Sequence, residues 1–205
     1  MNRIQLPDLW RGRVIVIGDV VFENDWFTEA ELALTESFHL QRRKTEWKHG
    51  RIAAKQLAMD LGLSKSPRDS VVERPWIYAG NEKRHVSISH SGGYAAAAID
   101  GAPVGVDVER LRNLKLAASH LFLTDDEAGV MRDVSVPNRM LHFWAAKEAA
   151  WKQLGGEVET LKHVPLKLEA ETATGLRFDE VETFATGEIV VALTRPTSGA
   201  GSLRR

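Results

Sequence analysis

Cysteine is absent from all 205 residues, which removes disulfides, zinc thiolates and thiol nucleophiles together and fits a reducing compartment. No apolar run is long enough to span a membrane and the amino terminus carries no signal-peptide pattern, so the chain is expected to be cytoplasmic, with no membrane partner. Neither sign of charge is in excess: 27 Lys and Arg face 28 Asp and Glu, for a formal net charge of −1. That balance argues against nucleic acid as a partner gripped by the whole molecule. With 43% hydrophobic and 27% charged residues, the composition is that of a soluble globular chain able to build one large domain or two small packed halves.

Two stretches organise what is there. Phe143 to Lys152 has helical spacing, with Trp144, Lys147, Trp151 and Leu154 on one stripe, so Lys147 stands inside an otherwise apolar face. Glu148 lies one turn before Lys152, where the plain reading is a stabilising ion pair. The run Val104 to Glu109 alternates, and as a strand it puts the valines on one face and Gly105, Asp107 and Glu109 on the other. Two carboxylates side by side repel, which suits an exposed edge or a cation that neutralises both. A divalent metal fits, and Gly105 leaves room for something to approach.

In chain order, Arg13 to Ile17 is expected as a buried strand. Thr28 and Glu31 have capping-box spacing before a helix from Thr28 to about Phe38. A longer helix runs from Gln41 to Leu61 with Gly62 as its C′ residue. Its first half carries Arg42, Arg43, Lys44, Lys48, Arg51 and Lys55, and Trp47, Arg51 and Lys55 share a face suited to a phosphate group. A solvated basic face is the plain alternative. Gly50 inside this helix points to close approach of another backbone or a ligand. Val86 to Ser89 alternates and leads into His90, Ser91, Gly92 and Gly93, where Ser89, His90 and Ser91 can present backbone N–H groups and an imidazole to an anion. A serine hydrolase is disfavoured, because Ser89 and His90 point to opposite faces of an extended chain and no nucleophile elbow is present. Tyr94 to Ile99, a turn at Asp100-Gly101 and Val104 to Glu109 read as a hairpin. Leu114 to Leu121 reads as helical, Thr124 with Glu127 caps a second short helix to about Asp133, Asn138 caps the central helix and Gly155-Gly156 ends it. Val164 to Leu168 and Glu188 to Thr194 read as strands of one antiparallel sheet, and the tail from Pro196 as frayed.

Ser87-Ile88-Ser89-His90-Ser91-Gly92, Gly105-Val106-Asp107-Val108-Glu109 and Phe143-Trp144-Ala145-Ala146-Lys147-Glu148-Ala149-Ala150-Trp151-Lys152, in this order and at these separations, resemble the 4′-phosphopantetheinyl transferases of the larger, surfactin-synthetase-activating type. Gly50-Arg51-Ile52-Ala53-Ala54-Lys55 extends the resemblance towards the amino terminus. The resemblance implies an α/β (α+β) protein of two similar pseudo-twofold halves, each an antiparallel sheet packed with helices. On this chain they correspond to 1–102, with the coenzyme A nucleotide contacts, and 103–205, with the metal and catalytic motifs. It implies a monomer that moves the phosphopantetheine arm of coenzyme A onto a serine of an apo acyl or peptidyl carrier protein, with magnesium, releasing 3′,5′-ADP. It further implies Asp107, Glu109 and Glu148 as magnesium ligands, Lys147 and Lys152 on the phosphates, Arg51, His90 and Ser89 near the nucleotide portion, and Glu148 as proton acceptor. The alternative on the same fold is a non-catalytic binder of coenzyme A or a carrier protein.

Overall fold

The computed structural model describes residues 2–18 and 24–196. Eleven strands and four α-helices follow one another as β1 (Asn2–Arg3), β2 (Val14–Gly18), α1 (Glu29–Glu36), α2 (Gln41–Asp60), β3 (Ser70–Glu73), β4 (Trp76–Ala79), β5 (Glu82–Ser91), β6 (Tyr94–Asp100), β7 (Val106–Arg110), α3 (Asp125–Asp133), α4 (Arg139–Gln153), β8 (Leu168–Glu171), β9 (Leu176–Phe178), β10 (Val181–Thr186) and β11 (Ile189–Thr194). They form two antiparallel sheets, ordered β1-β2-β6-β5-β4-β3 and β7-β11-β10-β9-β8. Without β1 the two orders are the same plan used twice: an opening strand, a short capped helix, a long helix and four further strands. The α+β architecture of two sheet-and-helix halves is therefore as expected from the sequence. No helix among the described residues is long and apolar enough to cross a membrane.

Residue size explains the layering. β6 is built of alanines because both its faces are covered: Ala95 and Ala97 pack with Ile52, Ala53 and Leu57 of α2, while Ala96 and Ala98 pack with Val106, Val108, Val191 and Leu193 of the second sheet. The second sheet turns its other face to α4, where Phe143, Ala146 and Ala150 meet Phe178, Val190 and Ala192. The layers thus run helix, sheet, sheet, helix. Two glycines let a helix approach a sheet closely. A Cβ on Gly50 would stand 2.5 Å from Ile88 Cγ2, so α2 lies directly on β5. A Cβ on Gly105 would stand 1.8 Å from the Ala149 carbonyl oxygen, so the room left there is filled by the α4 backbone and not by a ligand.

The capping boxes at Thr28–Glu31 and Thr124–Glu127 both form, and Gly62 takes a positive φ of 71°. Three expectations are corrected and a fourth, the helical reading of Leu114 to Leu121, is narrowed. Asp100-Gly101 does not close a hairpin: β6 pairs with β2 and β5, β7 pairs with β11, and the link between them crosses from one sheet to the other. Val164 to Lys167 is not strand, since β8 begins at Leu168 after Val164 and Leu166 have entered the α4 core. Asn138 precedes α4 in the left-handed region, φ 56°, and makes no side-chain cap. Leu116–Leu121 coils as a 3₁₀ helix. The tail beyond Pro196 lies outside the described residues.

One buried group makes stability depend on pH. His142 of α4 is fully buried, and its Nδ1 lies 2.8 Å from Thr183 Oγ1. That hydroxyl donates to the Leu176 carbonyl and accepts the Leu176 N–H, so Nδ1–H donates to it and Nε2 is left buried without a partner. Burial pushes the imidazole down to about 4. Between the usual 6.5 and that value the unfolded chain binds a proton that the folded one refuses, so stability falls as pH drops through this window. At about 1.36 kcal/mol per pH unit the effect is of order 3 kcal/mol. Urea unfolding at pH 7 and pH 4.5 should show a smaller loss in His142→Leu than in the parent; equal losses would clear His142 of this role.

Candidate active-site cleft

The serines at alternate positions of β5 build the site. Ser87, Ser89 and Ser91 point from the first sheet to the edge strand of the second. Ser87 Oγ accepts the Val106 N–H at 3.0 Å and Ser91 Oγ accepts the Arg110 N–H at 3.1 Å. Ser89 Oγ donates to Asp107 Oδ1 at 2.6 Å and Ser91 Oγ donates to Glu109 Oε2 at 3.0 Å. A side-chain ladder therefore joins the halves and fixes both acids of β7 at the seam. This is how two adjacent carboxylates are tolerated although both are buried, at 3% and 9% exposure: each accepts a hydrogen bond from a serine hydroxyl.

Helix α4 supplies the wall behind them. Trp144, Glu148 and Lys152 follow one another by single turns and share the cleft face. Lys152 Nζ lies 2.7 Å from Asp107 Oδ1. Trp144 Nε1 donates to Glu109 Oε1 at 2.8 Å, and Arg112 reaches Glu109 Oε2 at 2.7 Å. Glu148 is raised above the usual carboxylate range by burial, and by Asp107 and Glu109 as like charges, against the opposing pull of Lys152. Asp107 Oδ2 is buried without a hydrogen-bond partner.

Helix α2 and the turn after β3 supply the facing, cationic wall. Arg42, Arg43, Arg51 and Arg74 line it, with His90 beside them. The Arg51 guanidinium stacks 3.6 Å over the Trp47 ring. Burial, and then Arg74, lower it to about 10, which leaves it cationic at neutral pH. Its Nε has no partner. Two mutually repelling guanidinium groups, one with an orphaned donor, are stabilised by an anion between them. The cleft enclosed by these walls measures about 750 Å³.

Of the residues expected at the site, the fold brings together Arg51, Ser89, His90, Asp107, Glu109, Glu148 and Lys152. It does not bring Lys147. That lysine is completely buried and pairs with Glu127 Oε1 at 2.7 Å and with the Val164 carbonyl; it is one residue round the helix from Glu148 and faces α3 instead of the cleft. Lys55 likewise leaves the expected phosphate face, buried against Glu31 at 2.6 Å and the Trp26 carbonyl at 3.1 Å. The two pairs are counterparts, each joining the glutamate of a capping box to the long helix that follows it. Sequence reasoning missed Arg112 and the linking role of Ser87 and Ser91, although the period-two spacing of the three serines was a signal for the last.

Among the described residues, no three acids or imidazoles stand close enough to hold a metal ion between them. The donor chemistry of Asp107, Glu109 and Glu148 nevertheless suits a hard cation, and the orphaned Asp107 Oδ2 is an acceptor still to be filled. A second cavity, about 640 Å³, lies between residues 5–10 and β10. Its walls carry Glu182, Phe184 and Thr186 where the cleft has Ser87, Ser89 and Ser91.

No family model matches the chain. Two curated proteins are similar to part of it: 4′-phosphopantetheinyl transferase psf-1 of Bacillus pumilus, 34% identical over 74 residues, and 4′-phosphopantetheinyl transferase ffp of Bacillus subtilis, 31% identical over 74 residues. Each match takes in 35% of this chain and 32% or 33% of the relative, so the chain spans about a third of the length of the curated relatives it matches. Both relatives are named as 4′-phosphopantetheinyl transferases, and it is to transferases of that name that about a third of this chain is similar.

Proposed function

We propose that the chain is a 4′-phosphopantetheinyl transferase that uses coenzyme A and an apo carrier protein. The observation that carries this reading is the junction of two chemically different walls in one cleft: guanidinium groups from the first half, and a Lys152–Asp107 pair with Glu109 and Glu148 from the second. Phosphoryl transfer asks for that combination, since it depends on alignment and charge neutralisation more than on covalent help. Residues up to about 102 would hold the nucleotide and those from 103 onward would perform the chemistry. One chain supplies both walls, so no second copy is needed to complete the cleft.

Arg51, Arg74 and His90 would receive the phosphates of the nucleotide portion, and Lys152 the pyrophosphate. The carrier serine oxygen bonds to the phosphorus that bears pantetheine. The bond from that phosphorus to the bridging oxygen breaks, and 3′,5′-ADP leaves. The serine proton goes to Glu148, which burial raises above the usual carboxylate range and which a shared cation would make a weaker acceptor. Asp107, Glu109 and Glu148 would hold magnesium, which when bound supplies neutralisation of the pyrophosphate charge. Lys147 has no part in these contacts.

Intact-mass analysis of an apo carrier protein incubated with the chain, coenzyme A and magnesium tests the reading. One phosphopantetheine should be gained, and Glu148→Gln should lower the initial rate by about 10²–10⁴-fold. Coenzyme A binding with no mass gain on any of several carriers would leave a non-catalytic binder as the better account.

A further inference from the structure

One carboxylate stands on the wrong wall. Glu46 lies among Arg42, Arg43, Arg51, Arg74 and His90, one turn after Arg42 and one turn before Gly50. It marks the place where the main cleft meets a side lobe of about 430 Å³ that Arg110 and Arg112 also line. Its Oε1 accepts from Arg42 Nε at 2.7 Å and stands 3.9 Å from His90 Nδ1, and the side chain remains 29% exposed to the cleft. Gly50, one turn further along α2, lines the same cleft without a side chain of its own, because Ile88 occupies the space of a Cβ.

In a wall made for anions such a group repels every phosphate and repays the repulsion only to a ligand that brings a hydrogen-bond donor. We infer that Glu46 selects anions with a hydroxyl or amino donor beside the phosphate, as on a phosphorylated nucleoside, over bare polyphosphate. The inference deepens the reading of the cleft as a coenzyme site and rests on it for the choice of ligand. Arg42 stays oriented by Glu46 until the ligand arrives, and the ligand's donor then takes a share of the same carboxylate.

Calorimetric titration with adenosine 3′,5′-bisphosphate and with inorganic tripolyphosphate tests it, on the parent chain, Glu46→Gln and Glu46→Ala, each checked for an unchanged thermal melt. Glu46→Ala should bind tripolyphosphate more tightly and the nucleotide more weakly, lowering the nucleotide preference by roughly tenfold or more. Glu46→Gln, which keeps an acceptor oxygen without the charge, should tighten tripolyphosphate and hold most of the nucleotide affinity. Equal changes for both ligands in Glu46→Ala would reduce Glu46 to a positioning or purely electrostatic group and overturn the inference, as would no change for either. Nucleotide binding with the predicted shifts but no transfer to a carrier would remove the transferase reading and leave this one standing; failure of both probes to bind the parent would remove both.

Discussion

Asp107→Asn should slow phosphopantetheine transfer by about 10²–10³-fold, the usual cost of removing one preorganised charge from a reacting centre. Asparagine keeps the shape and can still accept the Ser89 hydroxyl, so the ladder between the sheets survives. What is lost is the negative charge that holds Lys152 2.7 Å away and the buried Oδ2 acceptor. The Lys152 side chain is 21% exposed and can turn to water, so thermal unfolding should move by only a few degrees. Single-turnover mass analysis reads the rate; a variant within threefold of the parent would take Asp107 out of the chemistry.

The largest effect on stability is expected at Lys147. Lys147→Met leaves Glu127 in the interior without its cation, and breaking a buried pair from one side costs about 3–5 kcal/mol. Glu127 would keep its capping box and the Leu166 N–H, which places the loss at the low end. Urea unfolding measures it, and adding Glu127→Gln should recover part of the loss because no charge is then stranded. Coenzyme A affinity, measured under conditions where Lys147→Met is folded, should match the parent. A stable Lys147→Met that fails to bind coenzyme A would return this lysine to the phosphates, where the family resemblance had put it.

Lys147 also shows where the sequence stops being legible. Its place in an apolar stripe is visible from spacing, but spacing cannot say whether a buried ammonium meets substrate or a carboxylate from another helix. Glu127, twenty residues earlier, reads only as half of a capping box. The helices, the capping boxes of the two short ones and the alternating strands at Val86 to Ser89 and Val106 to Glu109 were legible because each is written in local periodicity and turn chemistry. β9, only three residues long, and β10, parted from it by Asp179 and Glu180, were not, and neither was the crossing after Asp100, because a turn signal does not tell which sheet receives the next strand. The acids were legible as a pair on one face and the α2 arginines as a basic cluster, whereas the meeting of that cluster with Arg74 and with the acids in one cleft exists only after folding.

The repeated sheet order makes the two halves comparable position by position. Both hairpins close over two residues, Ser91 pairing with Tyr94 and Thr186 with Ile189. Counting on through the neighbouring strands, Ile17 pairs with Ala95 as Glu109 pairs with Val190, and Ile15 pairs with Ala97 as Asp107 pairs with Ala192. The sites of the two acids are thus held by isoleucines in the first half, where they pack against α2. Each half is in effect the other's control experiment. The buried lysine–glutamate pair occurs with and without acids nearby, so it belongs to the scaffold, and the two copies differ instead in the alternate side chains of the opening strand and, on the long helix, in Glu148 and Lys152 against Gln56 and Asp60.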